Sequence, residues 1–152
     1  MKNILFSILF LSTQFFSNSL FSQLKKFEGT WIKLNTTYVF DFDLVLNHAE
    51  NNTVQGYFIW KVIKYDEGNF RSINHYKDKL GATGKEFVKG SYNPYIREYL
   101  IKGYKKEDPN NIIGLDTYHI KVDQNNDIGG TTNANGSHLG RINGKEVSVE
   151  VL

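Results

Sequence analysis

Across 152 residues the chain carries 18 basic and 16 acidic side chains, a formal net charge of only +2, and no cysteine. So narrow a charge balance gives no reason to expect a nucleic-acid partner. The missing thiols exclude disulfides, thiolate metal sites and a lipidated N-terminal cysteine. Aromatics are plentiful, with 11 Phe, 9 Tyr and 2 Trp, enough to build a core without covalent cross-links.

The chain opens with Lys2, an apolar run from Ile4 to Leu11, and a Ser/Phe-rich stretch ending at Phe21-Ser22. A basic start, a short apolar centre and small residues near a cut predict a secretory signal over 1–22, cleaved after Ser22. Ser12, Thr13 and Gln14 interrupt the run, leaving too little to span ~30 Å of hydrocarbon. The expected product is exported, to the periplasm or beyond, with no integral membrane anchor after cleavage. Residues 23–152 are expected to form one domain.

From residue 29 onward strand patterns dominate. Residues 29–34 form a first candidate. Tyr38, Phe40, Phe42, Leu44 and Leu46 alternate with Asp41 and Asp43, the period of a half-buried strand. The same period runs from Val54 to Val62, with Val54, Gly56, Phe58, Trp60 and Val62 on one face. The polar segment 64–85 breaks the rhythm; its Phe70, Ile73, Tyr76 and Leu80 stand at near-helical spacing. A connection of this length predicts a lid or a short helix over 71–80 that closes one end. Strands are predicted over 86–92, 96–105 and 113–122, with turns at Asn93-Pro94 and Asp108-Pro109. Asn135-Gly136 and Asn143-Gly144 each read as hairpin turns and divide 128–151 into three short strands. Sequential hairpins at this spacing predict an all-β, antiparallel up-and-down meander barrel of eight to nine strands.

One phrase recurs along these strands, an apolar residue, any residue, glycine and a nearby aromatic: Phe27-Glu28-Gly29-Thr30-Trp31, Val54-Gln55-Gly56-Tyr57, Val88-Lys89-Gly90-Ser91-Tyr92 and Ile101-Lys102-Gly103-Tyr104. Glycine inside a strand gives up packing, so its recurrence predicts close backbone approach in a coiled, closed sheet. Gly29-Thr30-Trp31 resembles the Gly-x-Trp signature of the calycin superfamily, the lipocalins, fatty-acid-binding proteins and avidins. The later glycine–aromatic strands are similar to those of avidin-type barrels. The resemblance implies a barrel around a small apolar ligand, with Gly29 and Trp31 at its closed end under an Arg from a late strand, here Arg141. The Asn/Lys/Ile richness and the Phe-Ser-Gln junction also resemble small exported proteins of Bacteroidetes-type bacteria.

Chemistry-bearing motifs are sparse. Asp116 sits on an otherwise apolar face with Ile112, Gly114, Tyr118, Ile120 and Val122, where a carboxylate needs a partner: a ligand donor, or a structural arginine. Asp41 and Asp43 fit a solvated exterior. Asp123 to Asp127 imitates a calcium loop but carries Ile128 where glycine is required, so a polar turn fits better. The histidines show no ligand spacing, and no catalytic set, cofactor motif or metal site is read. The expected function is non-enzymatic binding of a small apolar or amphipathic ligand inside the barrel. Phe58, Trp60, Tyr92, Tyr104 and Tyr118 would form its wall and Asp116 its polar anchor. The alternatives are a solid-core module that docks a protein or glycan on its outer surface or long loop, and a small enzyme using Asp116 with a histidine.

Overall fold

In the computed structural model, which describes residues 23–133 and 139–148, alternation in the sequence becomes alternation in burial. Along β2 (Val39–His48) Phe40, Phe42, Leu44 and Leu46 are buried, while Asp41 is exposed and Asp43 half-buried. Along β3 (Thr53–Lys64) Val54, Phe58, Trp60 and Val62 are buried. A period of two puts every second side chain inside.

The remaining strands are β1 (Gln23–Lys33), β4 (Thr83–Asn93), β5 (Glu98–Glu107), β6 (Thr117–Val122), β7 (Asp127–Asn133) and β8 (Gly140–Val147). Each is antiparallel to the next, and β8 returns to pair with β1, so eight strands close an up-and-down barrel without an edge. The interior is filled by aromatic and branched side chains from all eight strands.

Two expectations need correction. Asn143-Gly144 is no turn: β8 runs straight through it, pairing with β7 on one side and β1 on the other. Gly144 lies opposite Gly29, and a Cβ at Gly144 would stand 2.4 Å from the Glu28 carbonyl oxygen. The glycine serves strand approach rather than chain reversal. Residues 113–116 do not join β6; the backbone there is irregular and folds over the barrel end. The expected signal over 1–22 and the Asn135-Gly136 turn lie outside the described residues.

The segment after β3 forms the expected short helix, α1 (Phe70–Tyr76), followed by a 3-10 turn at Lys77–Lys79. The Asn69 side chain caps it, accepting from the Arg71 and Ser72 backbone N–H groups. Tyr76 packs edge-on against Tyr38 and Phe40, with centroids 4.9 and 5.7 Å apart, which seats the helix on the barrel mouth. The Tyr76 hydroxyl donates to the Ile112 carbonyl, and His75 Nε2 lies 2.8 Å from the Asn111 carbonyl. The helix and the loop after β5 are thereby latched together. Asp108 stiffens that loop by accepting from Ile112 N and Ile113 N. Burial favours its protonation, but those two N–H groups and Lys106 outweigh it and hold the carboxyl below its ordinary range.

Candidate functional site

Beneath the helix, inward positions of four strands converge on one carboxylate. Glu86 is on β4 with the same parity as Val88, so its side chain points into the barrel, where it is 1% exposed. Oε2 accepts from the Trp60 indole at 3.1 Å and from the Tyr118 hydroxyl at 2.5 Å; Oε1 accepts from the Asp116 backbone N–H at 3.0 Å. A buried carboxylate is tolerated only with such partners. Burial pushes the Glu86 carboxyl up to about 7, a rise that its three hydrogen bonds oppose. Burial, reinforced by the neighbouring carboxylates, likewise holds the Tyr118 hydroxyl firmly protonated.

Gly103 makes room for this arrangement. A Cβ there would fall 1.9 Å from Glu86 Oε1, and the Gly103 N–H donates to the Asp116 carbonyl at 2.8 Å. Phe58 stacks on Trp60 at 4.6 Å and packs on Tyr118 at 4.7 Å, so the hydrogen-bonding rings are fixed by a ring behind them. Asp116 is buried beside Glu86 and lines the same space.

That space has two parts. A deep recess of about 40 Å³ is bounded by Trp31, Trp60, Glu86, Asp116 and Tyr118, with Ile112 and Ile113 above. It is room for roughly three waters. An outer vestibule of about 340 Å³ lies between Lys33, Tyr38, Arg71 and His75. Trp31, Phe40 and Tyr76 form walls of both. The barrel is therefore filled rather than hollow, and its open volume sits at the covered end.

Of the residues expected in the site, Phe58, Trp60, Asp116 and Tyr118 are brought together here. Tyr92 is at the opposite end, against His48 and Tyr99. Tyr104 is on the outer surface, 50% exposed: Tyr99, Ile101 and Gly103 point inward, and the same alternation along β5 sends Tyr104 out. Gly29 and Trp31 occupy strand β1 as expected, and Trp31 is buried. Its partner is not Arg141: the Trp31 indole donates to Thr132 Oγ1 at 2.9 Å and packs where a Cβ on Gly140 would stand. Arg141 pairs in register with Ile32 and is exposed. The parity that sends Trp31 and Ile142 inward sends Arg141 out.

Glu86 was not among the residues anticipated. Its signal was present, since Gly84, Glu86, Val88, Gly90 and Tyr92 share one parity in a strand whose Val88 belongs to the core. Asp41 and Asp43 lie on the outside, Asp43 within 3.9 Å of Lys26. Asp123 forms a tight turn, its Oδ1 accepting from Asn125 N and Asp127 N. Among the described residues no group of three or more His, Asp or Glu is placed to hold a metal ion, and no helix is long and apolar enough to cross a membrane. Compared with protein-family models, with curated proteins and with solved structures, the chain matches none.

Proposed function

We propose that the chain is an exported binding protein for a small amphipathic ligand, held end-on beneath the helix rather than deep inside the barrel. One observation carries this reading: Glu86 is a buried carboxylate lining an aromatic recess that adjoins a vestibule across Trp31, Phe40 and Tyr76. A carboxylate with three fixed donors would suffice for structure alone, but this one also lines free volume. The recess accommodates only a hydroxyl or amine head, with Glu86 and Asp116 as the acidic side chains in its lining. The ligand's apolar body would lie on the Phe40, Tyr38 and Tyr76 rings in the vestibule, whose volume falls at the small end of ligand sites. The Lys33 and Arg71 side chains at the rim suit an anionic or polar tail. Binding requires the latch between α1 and the loop after β5 to yield, which makes that segment the lid.

Native mass spectrometry of protein purified from its own host tests the reading. A small co-purifying molecule is expected, one that quenches the tryptophan fluorescence on titration back into stripped protein. Glu86→Gln should weaken that titration by about tenfold, the cost of one well-made hydrogen bond. No adduct in repeated preparations, or an affinity untouched by Glu86→Gln, would overturn it.

A further inference from the structure

The outer face of β3, β4 and β5 carries an array of lysines and aromatic rings, on the far side of the sheet from the recess. On β4 the outward residues are Lys85, Phe87 and Lys89; β5 sets Lys105 opposite Phe87 and Lys102 opposite Lys89; β3 sets Tyr57 opposite Phe87. The lysine ammoniums lie over the rings. Lys85 Nζ is 4.1 Å from the Tyr57 centroid and 4.9 Å from that of Phe87, Lys105 Nζ is 4.8 Å from Phe87, and Lys89 Nζ is 5.1 Å from Tyr104. Contacts of this kind hold a flexible cation in place. The chain's near-neutral total thus conceals a local array of ordered positive charge.

Two features of the array point to an absent anion. Lys89 and Lys102 are direct cross-strand partners, an arrangement that destabilises a sheet because like charges face each other. Glu107 stands opposite Lys85 and pairs with Lys105 at 3.4 Å, but among the described residues Lys85, Lys89 and Lys102 have no carboxylate within ion-pair distance. A sheet that keeps an unfavourable pair where neutralisation was available breaks a local rule, and such breaks mark functional surfaces.

We propose that this face binds an acidic polysaccharide, an extended chain whose carboxylate or sulfate groups recur along it. Lys85 and Lys89 are four residues apart on one strand, about 13 Å. A single phosphate cannot bridge that distance, but a polymer with repeating charge can. Single-stranded nucleic acid fits less well, because base stacking needs open ring faces and here ammoniums already cover them. A membrane fits less well too, since Tyr57 and Phe87 are half-buried between strands and Tyr104, 50% exposed, is the one ring of the array that stands clear of the sheet.

The test is calorimetry of the folded protein with three probes: a polyuronate of about ten sugars, a single-stranded oligonucleotide, and vesicles containing anionic lipid. The polyuronate is expected to bind most tightly and to lose about tenfold in affinity between 50 and 200 mM salt. The double variant Lys89→Gln/Lys102→Gln should lose about tenfold at low salt while melting no lower than the parent, because it relieves a repulsion. Lys145→Gln, on the outer face of β8, should change nothing. No polyuronate binding at low salt, equal binding by the double variant, or a preference for oligonucleotide or vesicle would overturn the proposal. None of these results depends on what the recess under the helix holds.

Discussion

Each end of this barrel sets a polar group among aromatic rings, half-buried His48 at one and fully buried Glu86 at the other, and the two serve differently. At one end His48 Nε2 lies 2.9 Å from the Tyr99 hydroxyl among the rings of Tyr92 and Tyr99. At the other, Glu86 takes donors from Trp60, Tyr118 and Asp116. Burial drives both groups toward neutrality, lowering the imidazole and raising the carboxyl. The difference is the neighbouring space. His48 and Tyr99 pair with each other, whereas Glu86 also lines a recess that shares its Trp31, Phe40 and Tyr76 walls with a vestibule. A buried polar group is thus a structural device or a candidate site according to what adjoins it.

Core variants probe this contrast with the largest effects. Trp31→Ala at the covered end and Phe27→Ala toward the other should each lose about 3–5 kcal/mol in chemical denaturation. A Trp31→Ala loss no larger than that of a surface variant would remove the ring from the core and a wall from the site.

The pH dependence separates the ends by sign. Glu86 has a folded-state pKa of about 7, above its ordinary 4.5. Its contribution is therefore complete below pH 4.5 and fades as pH rises through 7, a fall of about 3 kcal/mol. His48 has a lowered folded-state value, so its contribution is present above pH 6.5 and is lost as pH falls. Denaturation of the parent, Glu86→Gln and His48→Gln across pH 4 to 8 should show each variant losing its own slope. Slopes of the same sign at both ends would break the comparison.

Smaller effects sharpen it. Gly103→Ala should cost about 1–3 kcal/mol through the clash with Glu86 Oε1, and much less in a Glu86→Ala background. Undiminished cost in that background would mean the glycine serves the sheet and not the carboxylate. Asp41→Asn and Asp43→Asn, on the outer face, should stay within about 0.5 kcal/mol of the parent.

How much of this was legible in the sequence varies with the range of the signal. Period-two runs specify which side chains enter the barrel, and Tyr38 through Leu46 and Val54 through Val62 behave as written. Near-helical spacing found the short helix. Asn143-Gly144 misled because a two-residue turn signal is local, while the role of Gly144 is set by Gly29 on a strand far away in the chain. Arg141 misled because its parity is fixed only once β8 is known to be continuous. Glu86 stayed hidden because a charged residue in a strand reads as solvent-facing unless its parity is followed. Its donors Trp60 and Tyr118 come from two other strands, a convergence that closure of the barrel creates.

The chain's two tryptophans allow the most direct measurement, a pH titration of their indole N–H resonances by NMR. Trp60 donates to Glu86 and Trp31 to Thr132, so one reports the carboxylate and the other serves as an internal control. The Trp60 resonance is predicted to move with a midpoint near pH 7 while that of Trp31 stays fixed. A Trp60 midpoint in the ordinary carboxylate range, or no movement at all, would contradict a buried, proton-holding Glu86 at the head of the cleft.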